Sequence, residues 1–234
     1  MEQNKTGKYL KYAIGEIVLV VIGILIALQI NNWNEEQKQK QLEIATLKEI
    51  KSNLEKNILW LEENADYCLS LNEAITQILS FCENQTPYRP EMDSLFSLFH
   101  VYSNISFERT AYENLKVVDA NLISNDSLKN AISNIFEIEL KHFDPYIQAR
   151  NDRYNANVVL PLQNKYFSRH WKAENLNSGL HPIKYESMIK DVEFFNMCTE
   201  LAYRRKQTAI NSRNSAQRLK QVVHKINEEI RLNK

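Results

Sequence analysis

The sequence predicts an all-α protein in which an N-terminal transmembrane helix continues into an elongated antiparallel helical bundle with long first and last helices. Three observations predict it. An almost unbroken apolar run extends from Tyr12 to Trp33, with no polar side chain between Ile17 and Leu28. Apolar residues then return in steps of three and four over long stretches at both ends of the remaining chain. Turn formers are scarce: Gly179 is the only glycine beyond the apolar run, and the prolines are Pro87, Pro90, Pro145, Pro161 and Pro182. Little is left to interrupt long helices, and strand-like alternation bounded by turn residues is absent.

The apolar run reads as a membrane anchor. A helix from Tyr12 to Trp33 is about 32 Å long, close to the hydrocarbon thickness of a bilayer. Tyr9 and Tyr12 at one end and Trp33 at the other are the aromatics that settle at headgroup level, and Lys5, Lys8 and Lys11 lie just outside. The positive-inside rule then places the N-terminus in the cytoplasm, with Lys38 and Lys40 as a modest counterweight. The expected layout is a short cytoplasmic tail (1–12), a transmembrane helix (13–33) in the inner (cytoplasmic) membrane and a helical periplasmic domain (34–234). A cleaved signal peptide is the competing reading, but Gln29, Ile30, Asn31, Asn32 and Trp33 lack the small residues that a signal peptidase needs. An uncleaved anchor is favoured.

Within the span, Gly15, Leu19, Gly23 and Ala27 recur every four residues and share a face. Gly23 and Ala27 form a small-xxx-small pair that permits close helix contact. Glu16 lies about one turn inside Tyr12, where a carboxylate is costly unless it is paired, protonated or within reach of headgroups. Gly15, Glu16, Gly23 and Ala27 are therefore the candidate membrane-helix packing residues. The blander account is that Gly and Ala are ordinary in membrane helices and that Glu16 is an interfacial carboxylate.

Beyond the span, Leu47, Ile50, Leu54, Ile58, Leu61, Ala65, Cys68, Ile75, Leu79 and Cys82 form a coiled-coil-like stripe with Asn72 as its one polar interruption. It predicts a first long helix over about 36–83. Asn84 to Pro90 is a turn before a short helix from Glu91 to about Tyr102. Phe107 to Val118 is helical by pattern. Ser124 or Asn125 caps a further helix whose buried face is Leu128, Ile132, Ile135 and Leu140. Pro145 kinks it, and it resumes through Tyr146, Ala149 and Tyr154 to end near Pro161 or shortly after. Arg169 to Pro182 is the longest irregular connection. A last long helix over about 185–232 carries Met188, Val192, Phe195, Ala202, Ala209, Ala216, Leu219, Val223, Ile226 and Ile230. Two stripes of matching length pair most simply antiparallel, which returns the C-terminus to the membrane surface. Arg213, Arg218, Lys220, Lys225, Arg231 and Lys234 then face headgroups or, as the interleaved Glu228 and Glu229 favour, form a solvated face.

The anchor segment Gly15 to Glu35, and the middle segment Ala111, Tyr112, Glu113, Asn114, Leu115, Lys116 followed by Leu122, Ile123, Ser124 and Asn125, resemble an uncharacterised family, a domain of unknown function. Its members are bacterial, Bacteroidota-type single-pass membrane proteins with an N-terminal anchor and a helical periplasmic body. The resemblance implies architecture and compartment, and it brings no catalytic or binding residues.

The residues carry little recognisable chemistry. Net charge is zero and no nucleic-acid footprint is present. No Gly-rich phosphate loop, nucleophile elbow or zinc spacing occurs. His100, His142, His170, His181 and His224 are scattered, and Glu139 with His142 is a single Glu-x-x-His, whereas a di-iron bundle needs two such pairs and two more glutamates. Cys68 and Cys82 lie about 21 Å apart on one helix and cannot pair, and Cys198 is left either to meet one of them or, as favoured, to be one of three buried apolar thiols. One cluster stands out: Phe107, Arg109, Tyr112, Glu113 and Lys116 with Trp171, expected at the membrane-distal end as a partner or ligand surface or, more plainly, as a packed cap with solvated charges.

The expected function is a non-enzymatic interaction or scaffolding module with no cofactor, in contact with the lipid bilayer and with another membrane protein or itself. The alternative is a sensory ectodomain that binds a small ligand between helices. The dozen residues before the span are too few for an output domain, so either reading requires a membrane partner.

Overall fold

The computed structural model describes residues 3–101, 106–119, 121–141, 143, 148–169 and 180–233, with side chains described from Ile14 onward except that of Gln148. The kink expected at Pro145 lies outside these residues.

Helix α1 (Gln3–Asn84) runs 82 residues, about 123 Å, without a break. Neither proline nor glycine occurs between Ile24 and its end, so nothing opens the ladder of backbone hydrogen bonds. Every side chain from Ile14 to Leu42 is exposed, and the helix includes one span long and apolar enough to cross a membrane. The body begins at Glu43. From there Leu47, Leu54, Leu61, Cys68, Ile75 and Cys82 fall every seven residues, as do Glu43, Ile50, Asn57, Asn64, Leu71 and Ile78, and all twelve are buried. Buried polar residues thus share the stripe with aliphatic ones. Asn72, expected to be the single polar interruption, lies at the stripe's margin and is half-buried. The helix ends in a left-handed residue, Gln85 (φ 47°), which lets the Thr86 N–H reach the Phe81 carbonyl at 3.1 Å.

The chain then descends along α1. Helix α2 (Met92–Phe96) and the turns after it pack beside the top of α1. The Asn57 side chain clamps the backbone of Glu108, donating to its carbonyl and accepting from its N–H at 2.9 and 2.8 Å. Asn53 accepts from the Ala111 N–H, and Glu43 accepts from the N–H and hydroxyl of Ser124. Helix α3 (Thr110–Val118) lies in this descending leg. The helices expected over 91–102 and 107–118 are both shorter in the structure, where side chains of other helices hold the backbone in place of a helical ladder: Arg205 takes the carbonyls of Leu98, Phe99 and Val101, and Asn57 takes Glu108.

A third leg rises again. Asn125 caps α4 (Asp126–Asn134), accepting from the Leu128 N–H, and Leu128, Ile132, Ile135 and Leu140 are buried as the pattern predicts. α4 widens into a π-helical turn at Ile135–Glu139. Further up, α5 (Gln148–Tyr154) widens likewise at Asn155–Val159 before α6 (Leu160–Tyr166). Pro161 therefore sits in the first turn of α6 and does not end the leg. Its missing N–H falls where the helix is already widened. A two-stranded antiparallel ribbon follows, β1 (Phe167–Arg169) against β2 (Leu180–Pro182), with Ser168 opposite His181. At three residues per strand this pairing is too short to show alternation, and no sequence pattern announces it.

The last leg is two helices rather than one. Helix α7 (Tyr185–Met188) ends at a turn, and Asp191 caps α8 (Val192–Leu232) by accepting from the Glu193 N–H. The start of α8 also faces differently from the expected stripe: Phe194, Met197 and Cys198 are buried, whereas Val192 is exposed. α8 packs antiparallel to α1, with Asn64 donating to Ser212 at 2.8 Å and Arg205 donating to the Leu71 carbonyl at 2.7 Å. At that register Leu232 falls level with Ile44, about 17 Å along the axis beyond Trp33. Arg213 pairs with Asp66, Arg218 with Glu139 and Lys220 with Glu62. These cations lie well up the bundle, on a solvated face.

Three apolar clusters fill the body. The lower is mainly aliphatic, built from Leu47 to Leu61 of α1, α3, α4 and Ala216 to Ile230 of α8. The upper is aromatic, with Phe96, Phe99, Phe167, Tyr185 and Phe194 around the top of α1. Between them lies a waist of Ala65, Cys68 and Ala209.

Candidate functional site

The cluster singled out in the sequence around α3 sits against the lower core and not at the membrane-distal end, because the second leg has already descended to the level of Asn57 and Asn53 when it reaches Phe107 and Ala111. Phe107 is buried edge-on against Phe143 (5.9 Å, 74°), and Tyr112 stacks flat on Phe136 (4.6 Å, 6°). Both are core. Lys116 lies over the Tyr112 ring and pairs with Glu113 at 2.8 Å and Glu137 at 3.1 Å. Those hydrogen bonds raise the Lys116 pKa, and Lys141 with Lys116 holds Glu137 down at about 2. Arg109 is half-buried, and Trp171 lies outside the described residues. The five described members form a packed face with an ion network. The recurring segment Ala111 to Lys116 and the segment Leu122 to Asn125 are also where this leg is tied to α1 through Asn53 and Glu43.

In the apolar span, a Cβ added at Gly15 or Gly23 would meet nothing within 4 Å, so the face shared with Ala27 is open along the helix. Glu16 is exposed beside it. Glu139 accepts from Ser215 and, at 2.6 Å, from Arg218, which makes it a tie between the third leg and α8. His142 lies outside the described residues. All three cysteines are free and buried. Burial pushes Cys68 and Cys82 up to about 11, and Cys198 is raised further still, so the thiols stay protonated and unreactive.

The feature that sequence reasoning missed is at the waist. Arg205 occupies a core position of α8 and is only 6% exposed. It donates to four backbone carbonyls, those of Leu71, Leu98, Phe99 and Val101, at 2.6 to 3.1 Å. Burial lowers its pKa to about 10. The signal was there in outline: counting back by sevens from Ile226 and Leu219 lands on Ser212, Arg205 and Cys198, all buried.

Beside Arg205 opens a cleft of about 540 Å³, its mouth included, walled by α1 at Cys68 and Leu71, by Phe99 to Val101, by the π-helical turn below α6, and by α8 from Leu201 to Thr208. Its charged and titratable lining includes Arg204, Arg205 and His100, with no Asp or Glu among the described lining residues. Arg204 lies over the Tyr154 ring at 4.3 Å and donates through Nε to Glu200 at 2.6 Å. His100 Nε2 is 3.2 Å from Arg169 Nη2. Burial first, then the charges of Arg169 and Arg205, lower the His100 pKa and keep it neutral near pH 7. The upper end is fastened separately. The Tyr88 hydroxyl donates to Asp93 and lies 3.0 Å from His181 Nδ1, while Asp191, held at about 2, accepts from Lys165 and Tyr166.

No curated protein and no solved structure matches the chain. A family model matches residues 16–203, from the apolar span through the docked middle leg and into α8, ending two residues before the waist arginine, and the chain belongs to that family of unknown function, DUF6090.

Proposed function

We propose that this is a bacterial single-pass protein of the inner (cytoplasmic) membrane, N-terminus in the cytoplasm, whose helical body stands in the periplasm as a non-enzymatic interaction or scaffolding module. One observation carries the reading: α1 is continuous from the apolar span into the core of the body, and the span has no packing partner within the described chain. Apolar surface on that scale is unfavourable in water and is covered by lipid or by another helix. The open face at Gly15, Gly23 and Ala27 supports a helix-helix contact with another membrane protein or a second copy, since small residues let backbones approach.

Photo-crosslinking in native membranes from a probe at Gly23, with mass spectrometry of the captured chains, tests the partner. A distinct membrane protein is the expected product for an accessory subunit, and this chain alone for a self-associating scaffold. No capture would reduce the span to a plain anchor and remove the proposed contact. Compartment is tested apart from this by an alkaline phosphatase fusion after Lys234. Activity is expected, and an inactive fusion of normal abundance would reverse the orientation.

The waist cleft favours a second reading, a sensory ectodomain that binds a small molecule between helices and passes the change in packing down α1 to a membrane partner.

A further inference from the structure

We propose that the waist cleft is a binding site for a short 2-hydroxy carboxylate, gripped by Arg204 and His100 and read by Asn155. The proposal gives the sensory reading a ligand class, and binding is measurable without any signalling partner, so each can fail alone.

The argument starts from polar atoms that lack partners. Arg204 is fixed by its stack on Tyr154 and by the Glu200 contact at Nε, yet its Nη1 is buried with no acceptor. At His100, Arg169 can only donate, so Nε2 accepts and the proton of the neutral ring resides on Nδ1. That Nδ1 is also buried with no acceptor. Asn155 Oδ1, in the widened turn that forms another wall, is buried with no donor. Native interiors leave few such atoms unpaired, and here three of them belong to side chains lining one cleft. Two donors, one on the Arg204 guanidinium and one on the His100 ring, beside the Arg205 guanidinium and with no carboxylate among the described lining residues, define a place for an anion that accepts. Arg205 contributes charge alone, because its donors are committed to backbone carbonyls.

The acceptor of Asn155 calls for a donor on the ligand. A hydroxyl fits and an ammonium does not, since the cleft is already positive. The remaining wall is apolar, with Leu71, Phe99, Val159 and Leu201, and suits a short hydrocarbon in preference to the fully polar surface of phosphate. The enclosed part of the cleft is small, with room for a few waters or one ligand of a few heavy atoms. A carboxylate with a neighbouring hydroxyl and a small alkyl group meets all of these conditions.

Calorimetric titration of the full chain in detergent micelles with D- and L-lactate tests the site. Saturable binding of one enantiomer is expected at about 1 mM or tighter, within reach of a ligand this small. Arg204→Gln and His100→Phe are each expected to weaken it about tenfold or more, with the helical signal and melting cooperativity retained. Asn155→Ala is expected to erase the preference for lactate over propionate while leaving propionate binding in place. Absence of lactate binding to the folded chain would overturn the proposal. So would unchanged affinity in both charge-side variants, or tighter binding of alanine or inorganic phosphate than of lactate.

Discussion

The lower and upper halves of the body hold the same two helices together in different ways. Below the waist, aliphatic side chains of α1 and α8 interlock and the descending leg is docked by side chains that reach its backbone: Asn57 to Glu108, Asn53 to Ala111, Glu43 to Ser124. Above it, aromatic rings meet at a junction of short elements, Phe96 and Phe99 on Phe167, with Phe194 beneath, and the ends are fastened by Asp191 and Tyr88. The lower half is ordered by long helices in register. The upper half is ordered by bulky rings that fill space between pieces too short to hold themselves. Two cores joined through alanines, a cysteine and a buried arginine form two units whose coupling runs through that waist.

Removing a ring should break the comparison hardest. Phe194→Ala is expected to cost about 4 kcal/mol, read as a fall in the urea midpoint, with hydrogen exchange accelerating above the waist while amides of Leu47 to Leu61 keep their protection. Uniform loss of protection in both halves would show a single cooperative unit. Arg205→Met acts on the coupling itself. It removes the guanidinium from the carbonyls of Leu98, Phe99 and Val101, of which Leu98 keeps the Val101 N–H, at about 3 kcal/mol, and is expected to split one unfolding transition into two. Asn57→Ala is the lower-half counterpart, expected at about 2 kcal/mol, with faster exchange confined to Thr110–Val118. The smallest effect is electrostatic and belongs to the upper half. Hydrogen bonds from Lys165 and Tyr166 depress the folded Asp191 pKa to about 2, below the unfolded value near 4. The stabilisation is present above pH of about 4 and is lost as pH falls through about 2. Asp191→Asn is expected to flatten that acid limb, measured by melting temperature against pH.

The sequence makes the lower half legible and the upper half much less so, for a physical reason. A stripe such as Leu47, Leu54, Leu61 or Leu128, Ile132, Ile135 repeats one local geometry many times, and the repetition survives single exceptions. At the start of α8 apolar residues lie on more than one face, so Val192 and Phe195 compete with Phe194 and Cys198, and the polar Arg205 hides the continuity that would decide between them. The cleft has no local pattern at all: its walls come from four stretches brought together only by the rise of the third leg beside α8. The residue types of the α3 cluster announce packing and charge but not the height along the axis at which side chains such as Asn57 and Asn53 seize the backbone.

Between Trp33 and Glu43 the molecule narrows to one bare strand of helix, residues 34–42, with every side chain exposed. All torque between the apolar span and the body passes through these nine residues, and a helix is stiff to twist in both directions. The face carrying Gly23 and Ala27 is consequently keyed to the azimuth of the waist cleft. One residue added here turns the body about 100° and lifts it about 1.5 Å, whereas seven added residues bring it back to within about 20° of its bearing. The bare segment is the part of the molecule where orientation is set by counting residues and not by contacts.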